Sequence, residues 1–157
     1  MPLKKKNTAV QKIVKKQTDN QPASKSKNTD YIATVGRRKT AIARIRLFRG
    51  KGDNTVNGRS ITKYFGQEVL QMILFRPLDV ASLRDSMHFT IKVIGGGLSA
   101  QAEAVSLGLA RAIVKLDGDQ KKPLRDAKLL TRDSRMRETR KMGTGGKARR
   151  AKQSPKR

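Results

Sequence analysis

The side chains in this sequence that could do chemistry are its cations, and the chemistry that their spacing supports is the holding of phosphate. Residues 132–157 read RDSRMRETRKMGTGGKARRAKQSPKR, with eleven Arg or Lys against Asp133 and Glu138 alone. Met136 and Met142 are the only large apolar side chains there, too little to offset roughly 1–2 kcal/mol of backbone entropy per ordered residue. Such a tail is expected to take its order from a partner. Arg132, Arg135, Arg137, Arg140 and Lys141 carry its first half. After Met142 no acid remains, Gly143, Gly145 and Gly146 keep the backbone supple, and Lys147, Arg149, Arg150, Lys152, Lys156 and Arg157 follow. The partner that fits this run is a dense polyanion, a nucleic acid.

Two further groups of cations lie upstream. The segment GRRK at Gly36 to Lys39 reads as a hairpin tip, where Arg37, Arg38 and Lys39 would splay outward and straddle phosphates. A solvated turn is the plainer alternative for that segment taken alone. In the run TAIARIRLF that follows, Arg44 and Arg46 alternate with Ile42 and Phe48 on one face of a strand, opposite Ala41, Ala43, Ile45 and Leu47. One face suits a core and the other an anion. Gly95, Gly96 and Gly97 before a helix could form a backbone nest for phosphate, although a structural turn is the stronger reading of three glycines without a nucleotide-binding fingerprint.

Catalytic groupings are not apparent. His88 is the single histidine, with no carboxylate pair or cysteine spaced to make it a base or a ligand. Asp79 with Asp85, and Asp117 with Asp119, sit where loops or helix ends are expected and read as solvated acids rather than a nuclease's metal site. The chain has no cysteine, which excludes disulfides and Cys-ligated metal and fits a reducing cytoplasm. No cofactor is implied. No apolar run approaches the ~20 residues of a membrane span, so a soluble, non-membrane protein is expected. Four Phe and two Tyr, most at expected core positions, leave no exposed platform for stacking unpaired bases. Recognition is therefore expected to run through phosphates and shape.

The elements that must position these cations follow from periodicity. The formal charge of +25 is spread as +6 over residues 1–30, +10 over 31–131 and +9 over 132–157. Residues 1–30, Lys-rich and poor in apolar side chains, are expected to be a disordered arm. From Tyr31 the segments YIATVG, TAIARIRLF and NTVN predict three meandering strands. Asn57-Gly58 signals a turn, and Ser60 a cap for a short helix carrying Ile61, Tyr64 and Phe65 on one side. Val69, Leu70, Ile73 and Leu74 predict a helix that Pro77 interrupts. HFTIKVI at His88 to Ile94 predicts a fourth strand. Ser99 opens the longest helix, with Ala102, Val105, Leu109, Ala112, Ile113 and Leu116 on one stripe, and Gly108 inside it suits a close approach to a neighbour. A short helix spans about Lys122 to Leu129. The result is an α+β domain over residues 31–131, a mostly antiparallel four-stranded sheet packed by helices, with an extended basic tail over 132–157.

These residues also carry a resemblance. VGRRKTAIARIRL, VNGRSITKYF, IGGGLSAQA, GLARAI, LLTRDSRMRE and KARRAKQSPKR, in that order, make Tyr31 to Arg157 similar to the bacterial type of the ninth small-subunit ribosomal protein family. The resemblance implies a left-handed βαβ crossover, as in the second domain of the ribosomal S-five relative. It also implies a place on the head of the small subunit in the cytoplasm, beside neighbouring head proteins. The tail would thread through ribosomal RNA to the peptidyl site. There Ser154, Lys156 and Arg157 would meet the tRNA, with Lys147, Arg149 and Arg150 in the RNA before it. Three departures stand out: the tip Lys152-Gln153-Ser154-Pro155 lacks the usual aromatic, Ser106-Leu107 replaces a usual Arg-His, and the Lys-rich arm is longer than is common.

The reading is thus a non-enzymatic, RNA-binding structural protein. Its rivals are a DNA-architectural protein, which would prefer duplex DNA over folded small-subunit RNA at matched salt, and a metal-dependent nuclease, which would lose cleavage on mutation of Asp79 and Asp85.

Overall fold

A computed structural model describes residues 31–139 and 141–142. The chain runs β1 (Tyr31–Arg38), β2 (Ala41–Arg49), β3 (Thr55–Val56), β4 (Arg59–Ser60), α1 (Ile61–Tyr64), α2 (Glu68–Val80), β5 (Met87–Ile94), α3 (Leu98–Leu116), a 3-10 turn (Gly118–Gln120) and α4 (Lys121–Asp126). The expected α+β class is what forms. The sheet has five strands rather than four, in the order β1-β2-β5-β3-β4.

Only part of the expected meander of the first three strands forms: β1 and β2 pair antiparallel, but β3 does not lie beside β2. β5 enters between β2 and β3, antiparallel to β2 and parallel to β3. Short β3 is held there by a side chain acting as backbone. Asn57 Oδ1 accepts from Val93 N at 2.9 Å while Asn57 Nδ2 donates to Val93 O at 3.1 Å, extending the ladder one residue past Val56. Asn57 and Gly58 both adopt positive φ, 50° and 76°, which turns β3 tightly into β4.

Alternation decides which side of the sheet is covered. On β2, Ala41, Ala43, Ile45 and Leu47 are buried while Ile42, Arg44 and Arg46 are exposed. Phe89, Ile91 and Val93 of β5 join the buried side, and α3 lies across β1 and β2 with α2 packed beside it. Fully burying a Leu, Ile or Phe contributes about 1.5–3 kcal/mol, and Phe65, Phe89, Leu74, Leu78, Leu109 and Ile113 are among those that do so here. Helix α3 is buried on more than the expected stripe. Every residue from Ala100 to Ala110 except Glu103 is enclosed, because small side chains at 100, 102, 104, 106, 108 and 110 let the helix sink between sheet and α2.

Pro77 does not interrupt α2. It is buried inside the helix, near enough to the C-terminus that one further turn forms before Leu83 N closes the end on Leu78 O at 2.9 Å. Ser82, at φ 55°, supplies the left-handed residue that this closure needs. Val69, expected on the apolar side, is instead exposed.

Candidate nucleic-acid interface

The face of the sheet away from the helices presents four cross-strand rows. Register places Arg37, Ile42 and Ile94 in one, Val35, Arg44 and Lys92 in the next, then Ala33, Arg46 and Thr90, and last Tyr31, Phe48 and His88. Arg37, Arg44, Arg46 and Lys92 are all exposed, and no carboxylate occurs on β1, β2 or β5. Arg44 and Lys92 are directly opposed on neighbouring strands. Like charges in that relation repel, so this face stores an unfavourable interaction that a bound anion would relieve.

Tyr31 and Phe48 stand on this open face, Phe48 where the alternation of β2 puts it. They form no free stacking platform. Phe48 stacks on His88 at 5.0 Å between centroids and 10° between planes, Tyr31 packs against Phe48 at 5.7 Å, and the Arg46 guanidinium lies 5.1 Å from the Tyr31 ring centre. Beyond His88, Gly52 comes so near that a Cβ there would lie 2.7 Å from the imidazole. The rings occupy one another's faces. His88 Nδ1 also hydrogen-bonds Gly50 O at 2.9 Å, so the imidazole has a structural role.

Arg38 does not splay outward. Strand alternation sends Arg37 to the open face and Arg38 to the helix side, where it is 9 % exposed and bonded to Glu103 Oε2 at 2.5 Å and Asp133 Oδ2 at 2.9 Å. Lys39 sits exposed at the turn with φ 50°. Asp133 is shared: Arg135 donates to it from its backbone N at 2.9 Å and from its guanidinium at 2.7 Å. Those bonds from Arg135 hold the Asp133 carboxyl far below its usual range, with the Arg38 charge adding to the effect. The Arg135 guanidinium is held more firmly protonated in return.

Two of the three glycines, Gly95 and Gly96, have backbone and packing reasons to be glycine, whereas a side chain at Gly97 would meet open space. Gly95 and Gly96 adopt φ of 76° and 66°, and a Cβ on Gly95 would lie 2.6 Å from Thr40 O. Gln101 fastens the turn, donating Nε2 to Gly95 O at 3.0 Å and accepting from Tyr64 OH at 2.9 Å. Among the described residues no group of acids and histidine could hold a metal ion, and no helix is long and apolar enough to cross a membrane. Asp79 pairs with Arg84 at 3.2 Å, and Asp117 accepts from Asp119 N at 3.1 Å.

The model of the ribosomal protein S9/S16 family matches residues 36–157. The chain belongs to the ribosomal protein S9/S16 family. It is 47 % identical over 109 residues to the small ribosomal subunit protein uS9 of Desulfovibrio desulfuricans, covering 69 % of this chain and 84 % of that one. It is 44 % identical over 113 residues to the protein of the same name from Anaeromyxobacter sp. (strain K), covering 72 % and 87 %.

In this S9/S16 chain, Lys92 is a cation of the open face that periodicity alone places on a strand without marking it. Its weight comes from standing opposite Arg44, which only the β2/β5 register reveals. Arg132, Arg135 and Arg137 are exposed at the start of the tail. Ser106 and Leu107 are each 6 % exposed, so that turn of α3 offers no side chain to RNA. Arg140, Lys147, Arg149, Arg150, Lys152, Ser154, Lys156 and Arg157 lie outside the described residues, as does the arm of residues 1–30.

Proposed function

We propose that this chain is a structural constituent of the small ribosomal subunit that binds ribosomal RNA through the open face of its sheet and through its C-terminal tail. The observation that carries this reading is the opposed pair Arg44 and Lys92, exposed and without a carboxylate on their strands. Arg37 and Arg46 flank the pair along the same face, and Lys39 stands at the adjoining turn. Phosphodiesters supply the countercharge, and the packed aromatic row leaves backbone and shape, rather than unpaired bases, as what this face recognises. The role needs no catalysis. The left-handed crossover through α1 and α2, the seat on the subunit head and the neighbouring head proteins belong to the same proposal, supported by the family.

The tail extends that surface. Arg132 to Lys152 is held by ribosomal RNA, and Ser154, Lys156 and Arg157 reach the peptidyl-site tRNA. The relatives' name as small-subunit proteins and the basic run to Arg157 support this assignment.

The test is binding of small-subunit RNA by wild type and by Arg44→Ala/Lys92→Ala across a salt series. Affinity should fall, and the slope of log affinity on log salt should shrink by about 0.9 for each duplex phosphate that the variant no longer neutralises. An unchanged slope and affinity would remove the open face from the interface.

A further inference from the structure

Residues 131–139 contain no helix or strand, yet a single side chain holds their start against the domain. Arg38 donates Nε to Glu103 Oε2 at 2.5 Å, and one terminal nitrogen lies 2.9 Å from Asp133 Oδ2. The other terminal nitrogen donates to the carbonyl oxygens of Arg135 at 2.7 Å and Asp133 at 3.4 Å. One guanidinium thereby joins the last residue of β1, the first turns of α3 and the root of the tail. A lysine could not do this, because its ammonium is a point charge without the planar fork. Asp133 completes the arrangement by accepting Arg135's own backbone N–H, which folds residues 133–135 into a compact loop.

We propose that Arg38 is a positioning residue for the C-terminal tail, clasping Glu103, Asp133 and the Arg135 carbonyl so that the chain leaves the domain from one fixed point in one direction. Its donors are taken up by protein acceptors, which leaves little of it to grip phosphate and separates it from its neighbours Arg37 and Lys39. A tail released from a fixed root searches a smaller volume than one hinged at Leu130. The cations beyond Asp133 are therefore presented to RNA at a higher effective concentration. The consequence at RNA rests on the proposed function; the clasp itself does not.

The experiment is hydrogen exchange on the full-length protein without RNA, comparing wild type, Arg38→Gln and Asp133→Ala. In both variants the peptide covering residues 131–139 should exchange about tenfold faster, as expected for loss of charge-assisted bonds, while α3 amides keep their protection. Asp133→Ala removes a residue outside the core, so it reports on the clasp even if Arg38→Gln unfolds the domain. Unchanged exchange over 131–139 in Asp133→Ala, with α3 protected, would overturn the proposal. A second readout separates orientation from charge. Asp133→Ala makes the tail more cationic, so a tail acting by charge alone would bind small-subunit RNA at least as tightly. The clasp requires weaker binding, by several-fold. Tighter or equal binding would count against it, whereas a wild type that fails to bind RNA would sink the proposed function and leave the exchange result standing.

Discussion

Gly36 of β1 and Gly108 of α3 meet backbone to backbone. A Cβ on Gly36 would collide with the Ala104 carbonyl and stand 2.7 Å from Gly108 N, and a Cβ on Gly108 would stand 2.5 Å from Ile45 Cδ1 and 3.0 Å from Gly36 N. The neighbouring Thr34 hydroxyl donates to Gly108 O at 2.9 Å and fixes the same crossing.

The two glycines should respond unequally to alanine. Gly36→Ala meets helix backbone, which cannot give way, and should cost about 3 kcal/mol or slightly more, the upper end of overpacking effects. Gly108→Ala meets mainly the movable end of Ile45, comes no nearer than 3.0 Å to backbone at Gly36 N, and gains about 1 kcal/mol of helix propensity, so its net cost should be smaller. Urea unfolding of the two variants checks the order. A greater destabilisation by Gly108→Ala would contradict it.

Asn57→Ala removes both bonds to Val93 and places alanine at a φ of 50°. Two hydrogen bonds at about 1 kcal/mol each, plus the cost of left-handed backbone, give an expected destabilisation of about 2–4 kcal/mol. The effect should localise. Exchange at the β3 amides should rise more than at β2.

Lys92→Glu should move stability and binding in opposite directions. Turning the opposed cations into a cross-strand ion pair should stabilise the RNA-free protein by about 0.2–1 kcal/mol at low salt, with the gain shrinking as salt screens it. RNA affinity should fall. A variant that is less stable at low salt, or that binds RNA as tightly as wild type, would show that the pair was not poised for an anion.

The Asp133 carboxyl should titrate well below its ordinary value of 3.8. Its folded-state affinity for protons is depressed, so its contribution is fully present above the unfolded value and is lost only as pH falls through the depressed one. An NMR titration following the side-chain carbon should show no midpoint near 3.8, and in Arg135→Ala the midpoint should move up toward it. A wild-type midpoint at the ordinary value would mean the tail root is open in solution.

Deleting Lys156 and Arg157 should leave subunit assembly intact while weakening peptidyl-site tRNA binding by less than roughly a hundredfold, since two exposed cations contribute at the low end of charge-assisted bonds. Filter binding of tRNA to reconstituted subunits separates the two effects. Equal tRNA affinity at every salt concentration would show that the altered tip, Gln153-Ser154-Pro155, leads elsewhere.

Much of this arrangement can be read from the chain itself, and what cannot has identifiable causes. The alternation from Ala41 to Phe48 announces both the buried and the cationic face of β2, because a pleated strand allows no other assignment. Gly108 announces a close approach, though not that Gly36 is its partner. Arg38 reads as outward-facing because its neighbours Arg37 and Lys39 do face solvent; its true direction depends on β1 running two residues further, through Arg38, before the turn. The insertion of β5 between β2 and β3 leaves no local mark, since it is fixed by tertiary pairing and by an asparagine side chain standing in for a peptide group. Without that register, Lys92 is one lysine among many. The tight packing of α3 follows from its alanines and glycine, but which neighbour they admit is a property of the assembled layers.

Among the described residues no strand lies beside the outer margin of β1, and helix α3 fills that margin from within. Arg111 donates to Val35 O at 2.9 Å, and Lys115 reaches Ala33 O at 3.5 Å. Two charged side chains of α3 thus occupy carbonyl groups that would otherwise template a strand from another molecule. A bare margin there would invite edge-to-edge pairing between copies of the protein. The same two cations, by blunting the margin and adding repulsion between copies, disfavour that pairing.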